Sequence, residues 1–254
     1  MMFSMKKILI SLATFNRKNI TKLCLENIKS CLDNNSALII YDDGSDEYNE
    51  NFLRKFTNNC IRFRIRGGIE RSRARSFRDF FYILKDFDLL YITDNDVIHD
   101  PQFLDQIRYF YSISEKSENI MPIGLFNSVF HSSEENQVGE DDEFFIRKTC
   151  PGVSQCYDRK MVEKIVNFLN HNPTFETMYG FDYHWPAQLG VPFIQSKISY
   201  LEHFARDRHQ PGIHSGFSEE KKKIIEDFDR DRALCPTDFL KKSRDQTIKR
   251  IMGW

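Results

Sequence analysis

The first hundred residues alternate between short apolar runs and segments with helical spacing, and this alternation constrains the fold more than any other feature. Four runs have the length and apolar content of buried strands. They cover residues 6–14, 37–46, 60–68 and 89–92. The segments between them place apolar residues three or four apart, as amphipathic helices do. Four rounds of strand and helix predict an α/β fold with a doubly wound, mostly parallel sheet flanked by helices.

The pattern is looser after Pro101. Helical periodicity covers residues 101–113 and 158–170, and strand candidates cover 121–127, 143–150 and 192–204. The acidic segment 132–143 predicts a loop, and a helical tail is expected from Ser218 onwards. We therefore expect one catalytic domain with halves at 1–100 and 101–217, followed by a C-terminal helical tail at 218–254.

Composition excludes several classes of protein. The chain has 254 residues and a formal net charge of −1, so no basic excess indicates a nucleic-acid partner. The six cysteines form no CxxC pair, which argues against a zinc ribbon. No stretch approaches the roughly 20 apolar residues of a membrane span, and no signal peptide is recognisable. We expect a cytoplasmic protein with free thiols.

Polar residues end three of the predicted strands, in "ATFNR", "YDDGSD" and "TDND". In a parallel α/β sheet these ends meet at one crevice, where ligands bind. Asp94 and Asp96 are two apart, so on a strand they would share a face and repel unless a cation or several donors held them. They either cap the next helix or bind a hard divalent cation such as Mg²⁺ or Mn²⁺. Asp100, just before Pro101, is better placed for capping, which favours the metal.

The three strand ends also resemble, in order and spacing, the motifs of GT-A glycosyltransferases of family 2. "TDND" resembles the DxD motif, while "SLATFNR" and "YDDGSDE" resemble "P-T-Y-N-R" and "V-D-D-G-S-x-D". The resemblance covers the first hundred residues well and the next hundred thinly. It implies a GT-A-like fold, a nucleotide-sugar-binding half at 1–100 and an acceptor-binding half at 101–217. It also implies a nucleotide diphosphate sugar, with UDP as the expected nucleotide.

By position, the resemblance assigns donor and metal residues. Asp43 would hydrogen-bond the base, with Thr14 and Phe15 beside it and Ala13 where a proline is usual. An ordinary turn followed by a helix cap is the alternative explanation of "DDGSD". The DxD-like residues would bind the donor and the metal, Asp96 as the direct metal ligand and Asp94 through ribose or water. The donor-binding set is Ala13, Thr14, Phe15, Asp43, Arg71, Arg75, Asp94 and Asn95.

The two arginines in that set come from "GGIERSRARSFRDF", which is similar to the family pattern "G-x-x-x-A-R-N". Arg75 is matched to the arginine of the pattern, and Arg71 lies one turn earlier on the same side. An arginine at the start of a helix suits a phosphate or a base carbonyl. A solvated basic face is the alternative, and it is the interpretation we favour for Arg73 and Arg78.

An inverting transfer needs a carboxylate to take the proton of the acceptor hydroxyl. By the family's placement, Asp182 in "MYGFDYHW" is the expected base, with Glu176 as the second candidate. Tyr183 and Trp185 would stack on the acceptor sugar. Alternatively, Asp182 only caps a helix and Trp185 belongs to the core.

A late histidine returns to the metal in many GT-A enzymes, which implies His203 as a further ligand of Mn²⁺ or Mg²⁺. His214 is the alternative. The loop rich in His and Arg around them could instead close over the diphosphate as a lid.

Together these features predict a metal-dependent, inverting glycosyltransferase that moves a hexose or similar sugar to a glycan or glycolipid acceptor. Bacterial surface polysaccharide biosynthesis is the expected setting. A nucleotidyltransferase acting on a sugar phosphate is one alternative, but the first strand end lacks the glycine-rich loop expected of it. A non-catalytic glycan-binding module is another, and the intact Asp43, Asp94, Asp96 and Asp182 argue against it.

The C-terminal residues 236–254 mix apolar residues such as Phe239, Ile248 and Trp254 with lysines and arginines. Such a helix can lie on the inner face of the cell membrane. Packing onto the catalytic domain, which we favour, and homodimer formation are the alternatives.

Overall fold

The computed structural model describes residues 5–128, 134–176, 180–203, 233–243 and 246. Its first half is a parallel α/β unit in which four strands lie in the order β3-β2-β1-β4. The strands are β1 (Ile8–Thr14), β2 (Ser36–Asp42), β3 (Cys60–Arg62) and β4 (Leu89–Asp94). The connecting helices are α1 (Lys18–Cys31), α2 (Glu50–Leu53) and α3 (Ile69–Tyr82). The alternation in the sequence therefore predicted the order of elements in this half correctly, although α2 is a single turn and the strand expected at 60–68 ends at Arg62.

The second half extends the sheet to nine strands, in the order β3-β2-β1-β4-β9-β6-β10-β8-β7. Seven of these strands run in one direction, and β8 and β9 run against them. A separate antiparallel pair joins β5 to β11. The second-half elements, in chain order, are β5 (Val97–His99), α4 (Phe103–Ser114), β6 (Ile123–Gly124), β7 (Gln137–Glu140), β8 (Phe144–Arg147), β9 (Ser154–Asp158), α5 (Arg159–His171), α6 (His184–Ala187), β10 (Phe193–Ser196) and β11 (Leu201–His203).

Each face of the sheet carries its own hydrophobic core. On one face, α1 and α4 pack side chains such as Cys24 and Phe103 against Ile10 of β1. On the other, α3 and α5 pack side chains such as Phe77 and Ile165 against neighbouring strands. Successive strand residues point to opposite faces, and burial on both faces explains why the strands are continuous apolar runs. The predicted doubly wound, mostly parallel sheet flanked by helices is confirmed.

Two predictions for the second half are wrong, and strand β9 was not identified. The acidic segment 132–143, expected as a loop, contains the edge strand β7, and the single strand expected at 192–204 is divided into β10 and β11. Strand β9 was missed because "SQCYD" is polar, yet every one of its residues is buried. Hydrogen bonds to other protein groups satisfy its buried polar side chains. Gln155 Nε2 donates to Cys150 O at 2.7 Å, and Tyr157 Oη donates to Gln155 Oε1 at 2.6 Å.

The described part of the C-terminal tail packs onto the α/β domain. Residues 238–243 are helical, and Leu240 is buried against Ile98. Thr237 Oγ1 donates a hydrogen bond of 2.6 Å to Asp100 Oδ2. Ile248, Trp254 and residues 218–232 lie outside the described residues. Within those residues, no helix has both the length and the apolar content needed to cross a membrane.

Candidate active site

The ends of β1, β2 and β4 lie side by side at one edge of the sheet. Thr14 is paired in register with Asp42, and Ala13 is paired with Asp94. The three polar strand ends recognised in the sequence therefore meet in one place, because the three strands are parallel neighbours. We refer to the space bounded by these strand ends as the strand-end crevice.

Asp43, just beyond β2, organises one wall of the crevice. Its carboxylate accepts hydrogen bonds from the backbone amides of Gly67 at 2.9 Å and Gly68 at 2.8 Å. Arg71 Nη2 donates to the same carboxylate at 2.6 Å, and its guanidinium packs on the ring of Phe63 at 4.3 Å. A Cβ on Gly67 would lie 2.3 Å from Arg71 Cζ, so only glycine permits this approach. Asp43 therefore holds the 63–68 loop and Arg71 in one arrangement.

Arg73 forms the floor of the crevice. Its guanidinium is fully buried and donates to Ser11 O at 3.0 Å, Thr93 O at 2.6 Å and Asp94 Oδ1 at 2.5 Å. Burial raises the pKa of Asp94; Arg73 opposes that rise, and the nearby charge of Asp96 adds to it. We expected Arg73 on a solvated basic face, and the structure contradicts this. Arg73 lies four and seven residues before Phe77 and Phe80, on the side of α3 that faces the sheet.

Asp96 lies in the turn after β4, so it does not share a strand face with Asp94. One of its oxygens, Oδ2, forms an ion pair with Arg17 Nη1, and the other, Oδ1, lies 3.3 Å from His203 Nε2. His203 is in β11, paired in register with Val97 of β5, which explains how it reaches Asp96. Burial opposes the charge of Asp96, but His203 and Arg17 outweigh it and lower the pKa of Asp96 to about 2.

The remaining residues at the ends of β1 and β4 bond mainly to one another. Asn95 Nδ2 donates to Thr21 Oγ1 at 2.7 Å, so its side chain fixes the start of α1. The hydroxyl of Thr14, buried, hydrogen-bonds the hydroxyl of Tyr48. Phe15 is partly exposed, and the guanidinium of Arg66 lies 4.3 Å above its ring. Ala13 is buried within the sheet.

Arg75 lies apart from these residues. Its Nε donates to Asp79 at 2.8 Å, one turn later on α3, and about half of its side chain is exposed. The structure therefore groups Arg71 with the crevice and separates Arg75 from it. Counting "G-x-x-x-A-R-N" from Gly68 places its arginine at Arg73, and that count was the sequence signal for the buried arginine. Arg78 pairs with Glu176, which ties the second candidate base to α3.

Asp182 and Tyr183 are both exposed near the crevice. The ring of Phe181, the preceding residue, packs 5.6 Å from the guanidinium of Arg73. A Cβ on Gly152 would lie 3.1 Å from Asp182 Cβ, so glycine permits this close packing. Although Asp182 as a whole is exposed, neighbouring protein atoms partly desolvate its carboxyl and raise the pKa of that group.

Trp185 does not face an acceptor. It is fully buried between Phe77, at 5.9 Å between ring centroids, and Phe181, at 6.4 Å. The prediction that Trp185 stacks on a sugar is therefore wrong, and its alternative, a core residue, is correct. Its indole is placed there because α6 packs against α5 beside α3.

Glu70, in the first turn of α3, is a buried carboxylate that the sequence analysis did not identify. Its Oε1 has no hydrogen-bond partner among the described residues. Burial raises the pKa of Glu70, and the charges of Asp182 and Asp43 raise it further. Because both charges act on this side chain, Asp43 and Asp182 are both near Glu70.

The residues around Asp96 fit a divalent cation. A carboxylate oxygen and an imidazole nitrogen are ligands that Mn²⁺ accepts, and their 3.3 Å separation is close to the roughly 3 Å expected between adjacent ligands of an octahedral ion. No cluster of three or more His, Cys, Asp or Glu side chains forms a metal site in the part of the chain that the structure describes. Other coordination positions would therefore fall to a phosphate ligand and water. His214, the alternative ligand, lies outside the described residues.

No protein-family model matches the sequence, and no curated protein matches it. Solved structures do resemble the fold. A mannosyltransferase, PcManGT from Pyrobaculum calidifontis in complex with GDP-Man and Mn²⁺, aligns with a TM-score of 0.53 at 11% identity. The alignment covers 74% of this chain and 54% of that one.

The second comparison is with residues 1–349 of TarS from S. aureus in complex with UDP-GlcNAc. It aligns with a TM-score of 0.58 at 13% identity and covers 86% of this chain and 64% of that one. This chain thus spans between about half and two thirds of the two compared chains. At such identities the likeness concerns the fold, and with the parallel strand-end crevice it identifies the chain as having the GT-A-like fold of glycosyltransferases.

Proposed function

We propose that the protein is a metal-dependent glycosyltransferase that uses a nucleotide diphosphate sugar, with UDP as the nucleotide. The observation that carries the proposal is the pair of carboxylates at the end of β4. Asp94 and Asp96 are held in the strand-end crevice by Arg73, Arg17 and His203, at the edge of the sheet where α/β proteins bind ligands. The GT-A-like fold also supports glycosyl transfer as the class of reaction.

In this proposal Asp96 and His203 hold Mn²⁺ or Mg²⁺, and Asp94 contributes through the donor ribose or water. The cation would supply Lewis-acid neutralisation of the diphosphate leaving group. Arg73 fixes the position of Asp94, because a buried guanidinium with three acceptors has little freedom to move, and its charge opposes the rise in the pKa of Asp94. Ligands could therefore bind to Asp94 and Asp96 without a movement of Arg73, which forms the crevice floor.

The donor base would bind along the wall made by Asp43. Asp43 already accepts from two backbone amides and Arg71, so its direct contact with a base would use the remaining lone pairs of its carboxylate. Phe15 offers a ring face beside it, next to Arg66. Thr14, with its hydroxyl bonded to Tyr48, and Ala13 would support this wall rather than bind through a free hydroxyl.

Asp182 would be the general base of an inverting displacement. Its carboxylate takes the proton of the acceptor hydroxyl while that oxygen forms a bond to the anomeric carbon. The bond from the anomeric carbon to the diphosphate breaks, and its electron pair leaves with the diphosphate. The raised pKa of Asp182 suits this role, since a base accepts a proton better as its pKa approaches the working pH.

The acceptor would lie on the Asp182 side of the crevice. Tyr183 is 57% exposed and can pack its ring on the apolar face of a sugar. We propose a glycan or lipid-linked acceptor of the kind used to build bacterial surface polysaccharides. The buried Leu240 favours a structural role for the adjoining part of the C-terminal tail over contact with the membrane.

A thermal-shift screen of nucleotide sugars with Mn²⁺ tests the proposed function. Binding raises stability by RT ln(1 + [L]/Kd), so the correct donor stands out among UDP- and GDP-sugars. The same donor should then be slowly hydrolysed to nucleoside diphosphate and free sugar. Release of pyrophosphate would indicate a nucleotidyltransferase instead, and no shift with any nucleotide sugar would refute the proposal.

A further inference from the structure

Arg17, in the "ATFNR" motif, holds Asp96 in the proposed function but is given no ligand of its own. It precedes α1, and both it and Asn16 have left-handed backbone conformations, with φ of 57° and 53°. Non-glycine residues adopt this region rarely, and two in succession need support from their surroundings. Asn16 provides it: its backbone N donates to Ser45 Oγ at 2.8 Å, and its Oδ1 accepts from Asp46 N at 2.8 Å.

This turn carries the guanidinium of Arg17 to Asp96, which is 79 residues away in sequence. The Arg17 side chain is 12% exposed and that of Asp96 is 5% exposed, so the ion pair is largely shielded from water. Among the described residues, Asp96 is the single hydrogen-bond partner of the Arg17 guanidinium.

The two arginines of the crevice are therefore held differently. Arg73 is fixed by two backbone carbonyls as well as by Asp94. Within the described part of the chain, Asp96 alone holds the Arg17 guanidinium, so this long side chain can leave when the carboxylate takes another partner. Arg73 lacks this freedom, because two backbone carbonyls hold it as well as Asp94.

We propose that Arg17 is a resident counter-ion of Asp96 that gives way to the divalent cation and then binds the donor diphosphate. The inference rests on the proposed function. A divalent cation on Oδ1 of Asp96 would repel the guanidinium that Arg17 holds against Oδ2, and it would therefore weaken the contact between Arg17 and Asp96. An arriving diphosphate offers the displaced guanidinium a new and bidentate anionic partner.

Arg17 thus has opposite effects on the two ligands. Without a nucleotide it competes with the cation for Asp96, and with a nucleoside diphosphate present it stabilises the complex. Cation and diphosphate should therefore bind cooperatively, and by linkage each should raise the affinity of the other by the same factor.

The test is a binding cycle by isothermal titration calorimetry on the full chain. The affinity for Mn²⁺ is measured with and without whichever of UDP and GDP stabilises the wild-type protein. We expect a coupling within the usual range of about 5–150-fold for wild type. In Arg17→Gln, Mn²⁺ alone should bind more tightly, the nucleotide should bind more weakly in the presence of Mn²⁺, and the coupling should fall towards one.

Arg54→Gln is the matched control, because Arg54 also pairs with a carboxylate, Glu50, but on α2. It should retain wild-type coupling. Arg17→Lys keeps the charge and should give intermediate coupling, which provides a second test if Arg17→Gln does not fold. Weaker binding of Mn²⁺ alone by Arg17→Gln, or unchanged coupling in a folded variant, would overturn the inference. If the wild type binds neither Mn²⁺ nor a nucleotide, the proposed function itself fails.

Discussion

Arg73 Nη2 lies 2.5 Å from Asp94 Oδ1, although the arginine comes from a helix and the aspartate from the end of a strand. Burial lowers the pKa of the Arg73 guanidinium, and the charge of Asp94 opposes that change. Each group thus compensates the charge of the other where water is excluded. The position of Asp94 in the crevice depends on this contact between α3 and β4.

Replacing Arg73 with Met should destabilise the protein by about 3–5 kcal/mol, because Asp94 and two backbone carbonyls would lose a buried donor. Chemical denaturation followed by circular dichroism measures the change. Arg75→Gln is the control: Arg75 is about half exposed, and loss of its pair with Asp79 should cost less than about 1 kcal/mol. Equal losses for the two variants would show that the buried contacts of Arg73 contribute no more than a surface ion pair.

Asp96→Asn should abolish turnover while the fold, followed by circular dichroism, stays intact. Asn is close in shape, but it lacks the negative charge that a divalent cation needs. We expect affinity for Mn²⁺ to fall by more than about 100-fold, since even outer-shell partners of a metal contribute about 10–100-fold. A near-normal rate that still requires the metal would contradict the assignment.

Asp182→Asn should lose about 10²–10⁴-fold in transfer rate, the usual contribution of a general base, while donor binding is retained. Donor affinity is measured by calorimetry and transfer by product formation. Glu176→Gln is the comparison, because Glu176 is paired with Arg78 and should not affect the rate. Collapse of donor affinity with normal transfer would assign Asp182 to the nucleotide site.

The stability that His99 contributes should fall as the pH drops below about 6.5. This fully buried imidazole accepts or donates through Nε2 to Tyr91 and Thr93, and burial lowers its pKa from 6.5 to about 3. Between these values the unfolded chain binds a proton that the folded chain does not. Stability contributed by His99 is therefore complete above pH 6.5 and lost towards pH 3, by up to about 1.4 kcal/mol per unit.

Urea unfolding at several pH values between 5 and 7 measures this slope. A His99→Gln variant that folds should have a flatter dependence on pH than the wild type. His171→Gln is the control because His171 is exposed at the end of α5, and its slope should match that of the wild type. A His99→Gln variant with an unchanged slope would assign the pH dependence to other groups.

The sequence determined the parallel half of the fold and the place of the crevice. Apolar runs such as residues 89–92 are long enough to form strands. They lack the alternating polar residues of a strand with one exposed face, which indicates burial on both faces. The polar residues that follow these runs then lie at one edge of the sheet, because the C-terminal ends of parallel strands all lie at the same edge. That argument located Asp43, Asp94 and Asp96 near each other without any knowledge of side-chain contacts.

Only the tertiary structure decided which of the neighbouring residues face inward. Arg73 and Arg75 differ by two positions, or about 200° around a helix, and the packing of α3 on the sheet selects the first. The sequence allowed Trp185 to face a sugar, but its burial against Phe77 depends on how α6 packs against the helices α3 and α5. Strand β9 was not recognisable from its polar sequence, because its burial comes from its partners on both sides, β4 and β6, which lie in distant parts of the chain.

The pairing of Arg17 with Asp96 shows the physical reason for this division. Local sequence sets periodicity and strand ends, since these depend on residues a few positions apart. Contacts across 79 residues depend on the register of several elements at once, here β1, β4 and the turn at Asn16. The sequence therefore determined the fold class and the edge of the sheet that carries the site, whereas the packing of distant elements decided which charges meet there.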